Sequence, residues 1–172
     1  DIAGLYGRLA DSNRASERFD ALEKGHVELF GVKPQATFST SGRTELGGNH
    51  TDHNLGKVLA GSINLDTIAA VHATQDNAVS FISEGYPKLT VNLSDLAIKE
   101  SEFGTTDSLI RGVAAAITKR DGQIGGFCAN VSSSVFKGSG LSSSAAIEVL
   151  VGTNFNSLYS NTISCRHYIF VW

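Results

Sequence analysis

Lys137-Gly138-Ser139-Gly140-Leu141-Ser142-Ser143-Ser144-Ala145-Ala146 is the stretch on which the reading of this chain turns. Gly138 and Gly140 let the backbone bend sharply and come close to a ligand. Among Ser142 to Ser144 the pattern becomes helical and runs to Tyr159, with Ile147, Leu150, Val151 and Leu158 as the expected buried stripe. A helix that starts there leaves its first amides without intrahelical partners, at the positive end of its dipole, which suits a phosphate. Three hydroxyls add donors, and one of them can be an oxygen ligand for Mg²⁺. Other named loops fail on spacing. No Gly-Lys-Ser/Thr follows four residues after a glycine, as a Walker A loop needs. Ser143 stands where a dinucleotide fingerprint has its third Gly or Ala. Ser144, not Gly, comes two residues after Ser142, which excludes a nucleophile elbow. On spacing alone a phosphate site and a plain serine cap fit equally well.

Outward from that turn, the chain alternates between helical and extended patterns. Leu5 to Phe30 reads as a helix, with Leu9, Phe19, Leu22, His26 and Leu29 at three- and four-residue steps, and Gly31 and Pro34 stop it. Ala36 to Ser39 is a short strand leading into a glycine-rich stretch, Gly42 to Gly56. Lys57 to Thr74 is rich in β-branched and small residues and ends in the alternating run Thr67 to His72. Ala78–Ser83 and Leu89–Leu93 read as half-buried strands separated by Gly85 and Pro87. Thr106 to Arg120 is a helix with Asp107 near its start and Asp121-Gly122 as its stop, and Gly126 to Phe136 is again a strand. The order is mixed α+β, without the regular alternation of a doubly wound sheet.

The chain has 172 residues, 41% of them hydrophobic and 18% charged, which suits one globular domain and excludes wholesale disorder. No apolar run approaches the roughly 18 residues of a membrane span, and Asp1-Ile2-Ala3-Gly4 lacks the order of a signal peptide. A cytoplasmic protein is expected. The net charge is −3 with both signs interspersed, so there is no basic stripe for nucleic acid or anionic lipid. Cys128 and Cys165 are too far apart for a CxxC pair and too few for a disulfide framework; Cys128 is expected to be a reduced, buried thiol. Met is absent and the chain begins at Asp1, as a processed chain or a fragment would. Cys165 to Trp172 shifts abruptly in character, crowding His167, Tyr168, Phe170 and the only Trp together.

A second cluster begins at Gly42-Arg43 and carries an unbroken polar run from Asn49 to Asn54. Asp52 can accept from two sugar hydroxyls, and Asn49 can both donate and accept. Arg43 offers a permanent charge for a phosphate or an ionising hydroxyl. His50 and His53 would need a helix to share a metal, and the flanking glycines argue against one. Taken alone, this cluster reads as a solvated loop.

Taken together the two clusters carry a resemblance. Gly42-Arg43, Leu46 and Gly48-Asn49-His50-Thr51-Asp52-His53-Asn54 resemble the galactokinase signature G-R-V-N-L-I-G-E-H-T-D-Y-N. Gly138-Ser139-Gly140-Leu141-Ser142-Ser143-Ser144-Ala145 resembles the phosphate loop of the GHMP small-molecule kinases, in the right order and at a fitting separation. The resemblance extends from Leu5 to about Asn161. It implies the α+β N-terminal domain of a GHMP kinase, similar to the second domain of ribosomal protein S5, incomplete on its C-terminal side. On that pattern residues 1–164 form a sugar- and ATP-phosphate-binding domain and residues 165–172 an atypical tail of the kind a frameshift leaves; the C-terminal GHMP domain is absent.

The implied reaction is ATP-dependent phosphorylation of galactose at its C1 hydroxyl, giving galactose 1-phosphate, with ATP and Mg²⁺, in a monomeric cytoplasmic parent. Residue by residue, Arg43 stabilises the transition state beside the attacking hydroxyl, and Asn49, His50, Thr51 and Asp52 line the sugar site. Gly138, Ser139, Gly140, Leu141, Ser142, Ser143 and Ser144 wrap the ATP phosphates. Ser144 is the Mg²⁺ ligand, and Ser83 lies near the nucleotide. The chain departs from the pattern where Asn49 replaces Glu, His53 replaces Tyr and Glu45 replaces Asn, so phosphoryl transfer is better supported than the identity of the sugar. The family's catalytic Asp and Mg²⁺-binding Glu fall well downstream of the serine turn. Past Ser144 this sequence has only Glu148, expected at the buried-to-exposed border of its helix, and one residue cannot replace both. General-base assistance is worth roughly 10²–10⁴ in rate, so the 172 residues alone are expected to be nearly inactive. The alternatives are a kinase for another hexose or amino sugar and a non-catalytic, kinase-derived galactose sensor. An S5-like RNA-binding domain needs a basic face that this composition lacks.

Overall fold

The computed structural model describes residues 12–48, 57–135 and 140–163. Along the chain they form α1 (Ser12–Phe30), β1 (Ala36–Gly47), β2 (Leu59–Ala73), β3 (Ala78–Ser83) and β4 (Leu89–Asn92). A 3₁₀ turn (Glu100–Glu102), α2 (Thr106–Thr118), β5 (Phe127–Ser133) and α3 (Ser143–Leu158) follow. The five strands make one sheet in the order β1-β2-β5-β3-β4. β3 and β5 pair parallel, the chain returning between them through β4 and α2, and the other three pairings are antiparallel.

Alternation along β2 and β5 explains the two layers. Ala69, Val71, Phe127, Ala129 and Val131 point to one face, where they build the main core with Ile110, Val113 and Ile117 of α2 and Leu150, Val151 and Phe155 of α3. Ile68 and Ala70 point to the other face and pack against Leu22 of α1. Asp121, in the left-handed region at φ 57°, ends the α2 connection near the expected stop.

Several expectations are corrected. β1 does not end at Ser39 but continues through Gly47, so the first part of the expected polar loop is strand. The reason is its partner: β2 is 15 residues long and supplies a ladder as far as Gly47↔Leu59. Two register shifts, between Ser41 and Arg43 and between Glu45 and Gly47, bend this ribbon. Leu29 is 50% exposed although it lies on the expected helical stripe. In α3, Leu150 and Val151 are buried as expected, but Ile147 and Leu158 are only partly so. Glu148, Asn154 and Phe155 are buried instead, because α3 packs against β1, β2 and α2 together. Cys128 is half-buried rather than buried, and burial raises its thiol pKa. Leu5, Leu9 and the tail 165–172 lie outside the described residues.

Two polar clusters tie α1 to the sheet. The Asp66 carboxylate of β2 accepts from the Arg18 guanidinium of α1 and, at 2.6 Å, from the Ser39 hydroxyl of β1. The Ser134 hydroxyl donates to the Asp66 carbonyl at 3.0 Å and accepts from the Asp66 amide at 2.9 Å. A carboxylate only 3% exposed needs this set of donors, and they join α1, β1, β2 and the segment after β5. The second cluster is His26 of α1, 0% exposed, whose Nε2 meets His72 Nδ1 of β2 at 2.7 Å beside the Phe30 ring.

Burial and the neighbouring His72 lower the His26 pKa from 6.5 to about 4, so the folded protein holds this ring neutral. Below pH 6.5 the unfolded chain takes up a proton that the folded chain refuses until near pH 4, and unfolding gains ground. This group's contribution is fully present above pH 6.5 and should fall by about 3 kcal/mol on acidification to pH 4. Denaturant unfolding across that range should show the decline, and His26→Phe should flatten it; an equally steep decline in the variant would contradict the assignment.

Candidate functional site

β1 and β5 both run antiparallel to β2, so the end of β5 and the later part of β1 lie at the same end of the sheet. The serine turn leaves β5 there and meets β1 directly. The Arg43 amide donates to the Leu141 carbonyl at 3.2 Å. A Cβ on Gly42 would stand 3.0 Å from that same carbonyl oxygen, 3.1 Å from Val135 and 3.2 Å from Ile63, so the close approach depends on glycine. On the other side of the three serines, the buried Thr40 hydroxyl donates to the Ala146 carbonyl at 2.8 Å. One strand thus holds the turn both before Ser142 and after Ser144.

Between these anchors Ser142 adopts left-handed backbone angles, φ 59° and ψ 48°, at the N-cap of α3, and its side chain makes no capping hydrogen bond. A non-glycine residue keeps such a conformation, which costs about 1 kcal/mol or more, only where its surroundings enforce it. The plain-cap reading of the serines therefore fails at the N-cap position. Ser144 is exposed and Ser142 and Ser143 are half-buried, beside the positive end of α3. Gly140 supplies a positive φ of 75° just before them. Ser83 ends β3 at the same end of the sheet, level with Val131 of the neighbouring β5. Asn49, His50, Thr51 and Asp52 lie outside the described residues, as do Gly138 and Ser139.

Arg43 Nη2 pairs with Glu45 Oε1 at 3.1 Å, from a side chain 36% exposed. A permanent cation and a helix N-terminus, joined through one backbone hydrogen bond, can receive a phosphoryl group and polarise a hydroxyl beside it. The roles of Thr40 and Glu45 were missed in the sequence, where Thr40 falls just past the expected strand Ala36 to Ser39. Arg111 was missed as well. It is 6% exposed on α2, pairs with both Glu102 oxygens at 2.8 Å, and donates to the Asn92 carbonyl at 3.0 Å and to the Asp95 carbonyl. Its hydrogen bond holds the Glu102 carboxyl below the usual range and straps the β4–α2 connection down. A groove of about 750 Å³ runs between that connection and α2; it contains none of Arg43, Ser83 or Ser142 to Ser144, and takes only Glu148 from α3.

Residues 24–73 match the galactokinase galactose-binding signature, and residues 108–169 match the N-terminal domain of GHMP kinases. The chain is 36% identical over 140 residues to a galactokinase from Lacticaseibacillus casei, a match covering 79% of this chain and 36% of that protein. It is similar in structure to Lactococcus lactis galactokinase, solved in complex with galactose: TM-score 0.77, 26% identity, 90% of this chain and 40% of the other. Methanococcus jannaschii mevalonate kinase shares the fold at TM-score 0.64 and 19% identity, over 79% of this chain and 44% of its own. The chain therefore spans well under half the length of each. Both motifs, their order and the sheet that joins them agree: the chain belongs to the galactokinase family of GHMP kinases, and its described residues have the fold of that family's N-terminal domain.

Proposed function

We propose that this chain forms the sugar- and phosphate-binding part of an ATP-dependent galactose kinase that makes galactose 1-phosphate. The observation that carries the reading is the 3.2 Å hydrogen bond from the Arg43 amide to the Leu141 carbonyl, which sets the signature strand against the serine turn. The galactose complex of the Lactococcus lactis relative supports the choice of sugar.

The described residues fit Mg·ATP. Ser144 presents an exposed hydroxyl in the first turn of α3, and Ser142 spends none of its hydroxyl on capping. When bound, ATP supplies the phosphoryl group and Mg²⁺ neutralises charge on the phosphates. Gly138 to Ser144 would hold those phosphates, Ser144 would be the residue to ligate the cation, and Ser83 would stand on the nucleotide side. Asn49, His50, Thr51 and Asp52 hold the sugar hydroxyls. Arg43 stabilises negative charge as the C1 oxygen bonds to the γ-phosphorus and the bond from phosphorus to the bridging oxygen breaks.

The hydroxyl proton needs a base. Past the serine turn the sequence offers only Glu148, which the fold buries to 2% exposure. The 172-residue polypeptide is accordingly a binder of both ligands and a poor catalyst. Incubated with ATP and a panel of hexoses, it should bind galactose best and turn it over at least ~100-fold more slowly than the full-length Lacticaseibacillus casei relative. Turnover at the relative's rate, or a clear preference for another hexose, would overturn this. Ser144→Ala should weaken ATP binding about fivefold to tenfold in Mg²⁺ and leave the Mg²⁺-free affinity unchanged. Equal affinities for variant and parent in Mg²⁺ would remove Ser144 from its role.

A further inference from the structure

The two carboxylate oxygens of Glu45 are in different circumstances. Oε1 accepts from Arg43 Nη2 at 3.1 Å, whereas Oε2 is shut off from solvent and has no hydrogen-bond partner among the described residues. The side chain is 15% exposed and stands on the same face of β1 as Arg43, two residues along the strand. A buried carboxylate oxygen without a donor is among the more expensive things a fold can keep. The Arg111–Glu102 pair elsewhere in this molecule shows the satisfied alternative, with both oxygens taken. An apolar residue at position 45 would avoid the cost, so a buried carboxylate here points to a donor that arrives with a ligand.

The sequence adds an independent observation. The galactokinase signature has a carboxylate where this chain has Asn49 and an amide where it has Glu45, so the acceptor charge has changed places. The Arg43 side chain is 36% exposed and Glu45 15%, so the pair is open to a ligand on the guanidinium side. The occupant must donate a hydrogen bond and carry no net negative charge, which describes a sugar hydroxyl.

We propose that Glu45 is a specificity-determining residue: its Oε2 accepts a hydrogen bond from one hydroxyl of the bound sugar while its Oε1 keeps Arg43 beside the same ligand. This rests on the sugar-kinase reading above. It makes Glu45 a contact that selects the sugar, distinct from the polar run Asn49 to Asp52.

The test uses the full 172-residue chain with Glu45→Gln and Glu45→Leu, titrated with galactose and with its monodeoxy analogues, one for each hydroxyl. The unsubstituted chain should lose about tenfold or more in affinity for one analogue in particular. Both variants should bind galactose correspondingly less well, yet no longer distinguish it from that analogue, while the other analogues keep their relative order. Melting of the sugar-free Glu45→Leu chain should be unchanged or raised, because an unpartnered oxygen has been removed. Discrimination unchanged in both variants, or lower melting with sugar affinity intact, would make Glu45 structural only and overturn the inference. If the unsubstituted chain binds ATP but no sugar, the galactose reading itself fails and this inference falls with it. If it binds galactose and the variants match it, only the inference fails.

Discussion

The contact between β1 and the serine turn governs this molecule. A single strand donates its Arg43 amide to Leu141, makes room for that carbonyl with Gly42, and reaches past the three serines through Thr40 to Ala146. Separated by about a hundred residues in sequence, the signature strand and the serine turn become neighbours because β1 and β5 run the same way on either side of β2. The left-handed Ser142 is held between these anchors, and its conformation directs the serines away from simple helix capping. Any lateral shift of the turn would have to break backbone contacts with the strand that carries Arg43. The spacing between cation and helix N-terminus is thus a property of the sheet rather than of flexible side chains.

Behind that contact stand polar clusters that a smaller chain of residues could not replace. Asp66 joins α1, β1 and β2 and reaches Ser134, which sits on the segment leading into the turn. His26 and His72 join α1 to β2 as a neutral pair. Asp66 meets its hydrogen-bonding demand with partners from other elements, so docking of α1 and placement of the turn are coupled through β2.

Much of this was readable in the residues. The apolar alternation of Thr67 to His72, the periodicity of α2 and the glycine–serine punctuation before α3 all carry local physical signals, and those elements stand where they were expected. The continuation of β1 through Gly47 was not readable, because the polar residues from Gly42 onward become strand only through the ladder that β2 offers. The burial of Glu148 and Asn154 was hidden for a similar reason: α3 is enclosed by the sheet and α2, and helical periodicity assumes one wet face. The two motifs announced a site, but the bond that unites them is between backbone atoms, which leave no mark on side-chain identity. The partners of Thr40 and the bare oxygen of Glu45 emerge only from packing.

If sugar and nucleotide phosphates meet at the junction of β1 and the serine turn, both ligands must be felt by one strand. Amide resonances of the isotope-labelled 172-residue chain, followed while Mg·ATP and galactose are added in either order, test it most directly. Mg·ATP should move Ser143 and Ser144, galactose should move Glu45 and its neighbours on β1, and Arg43 should respond to both. Two separate sets of shifts, with Arg43 silent to one ligand or to both, would contradict it.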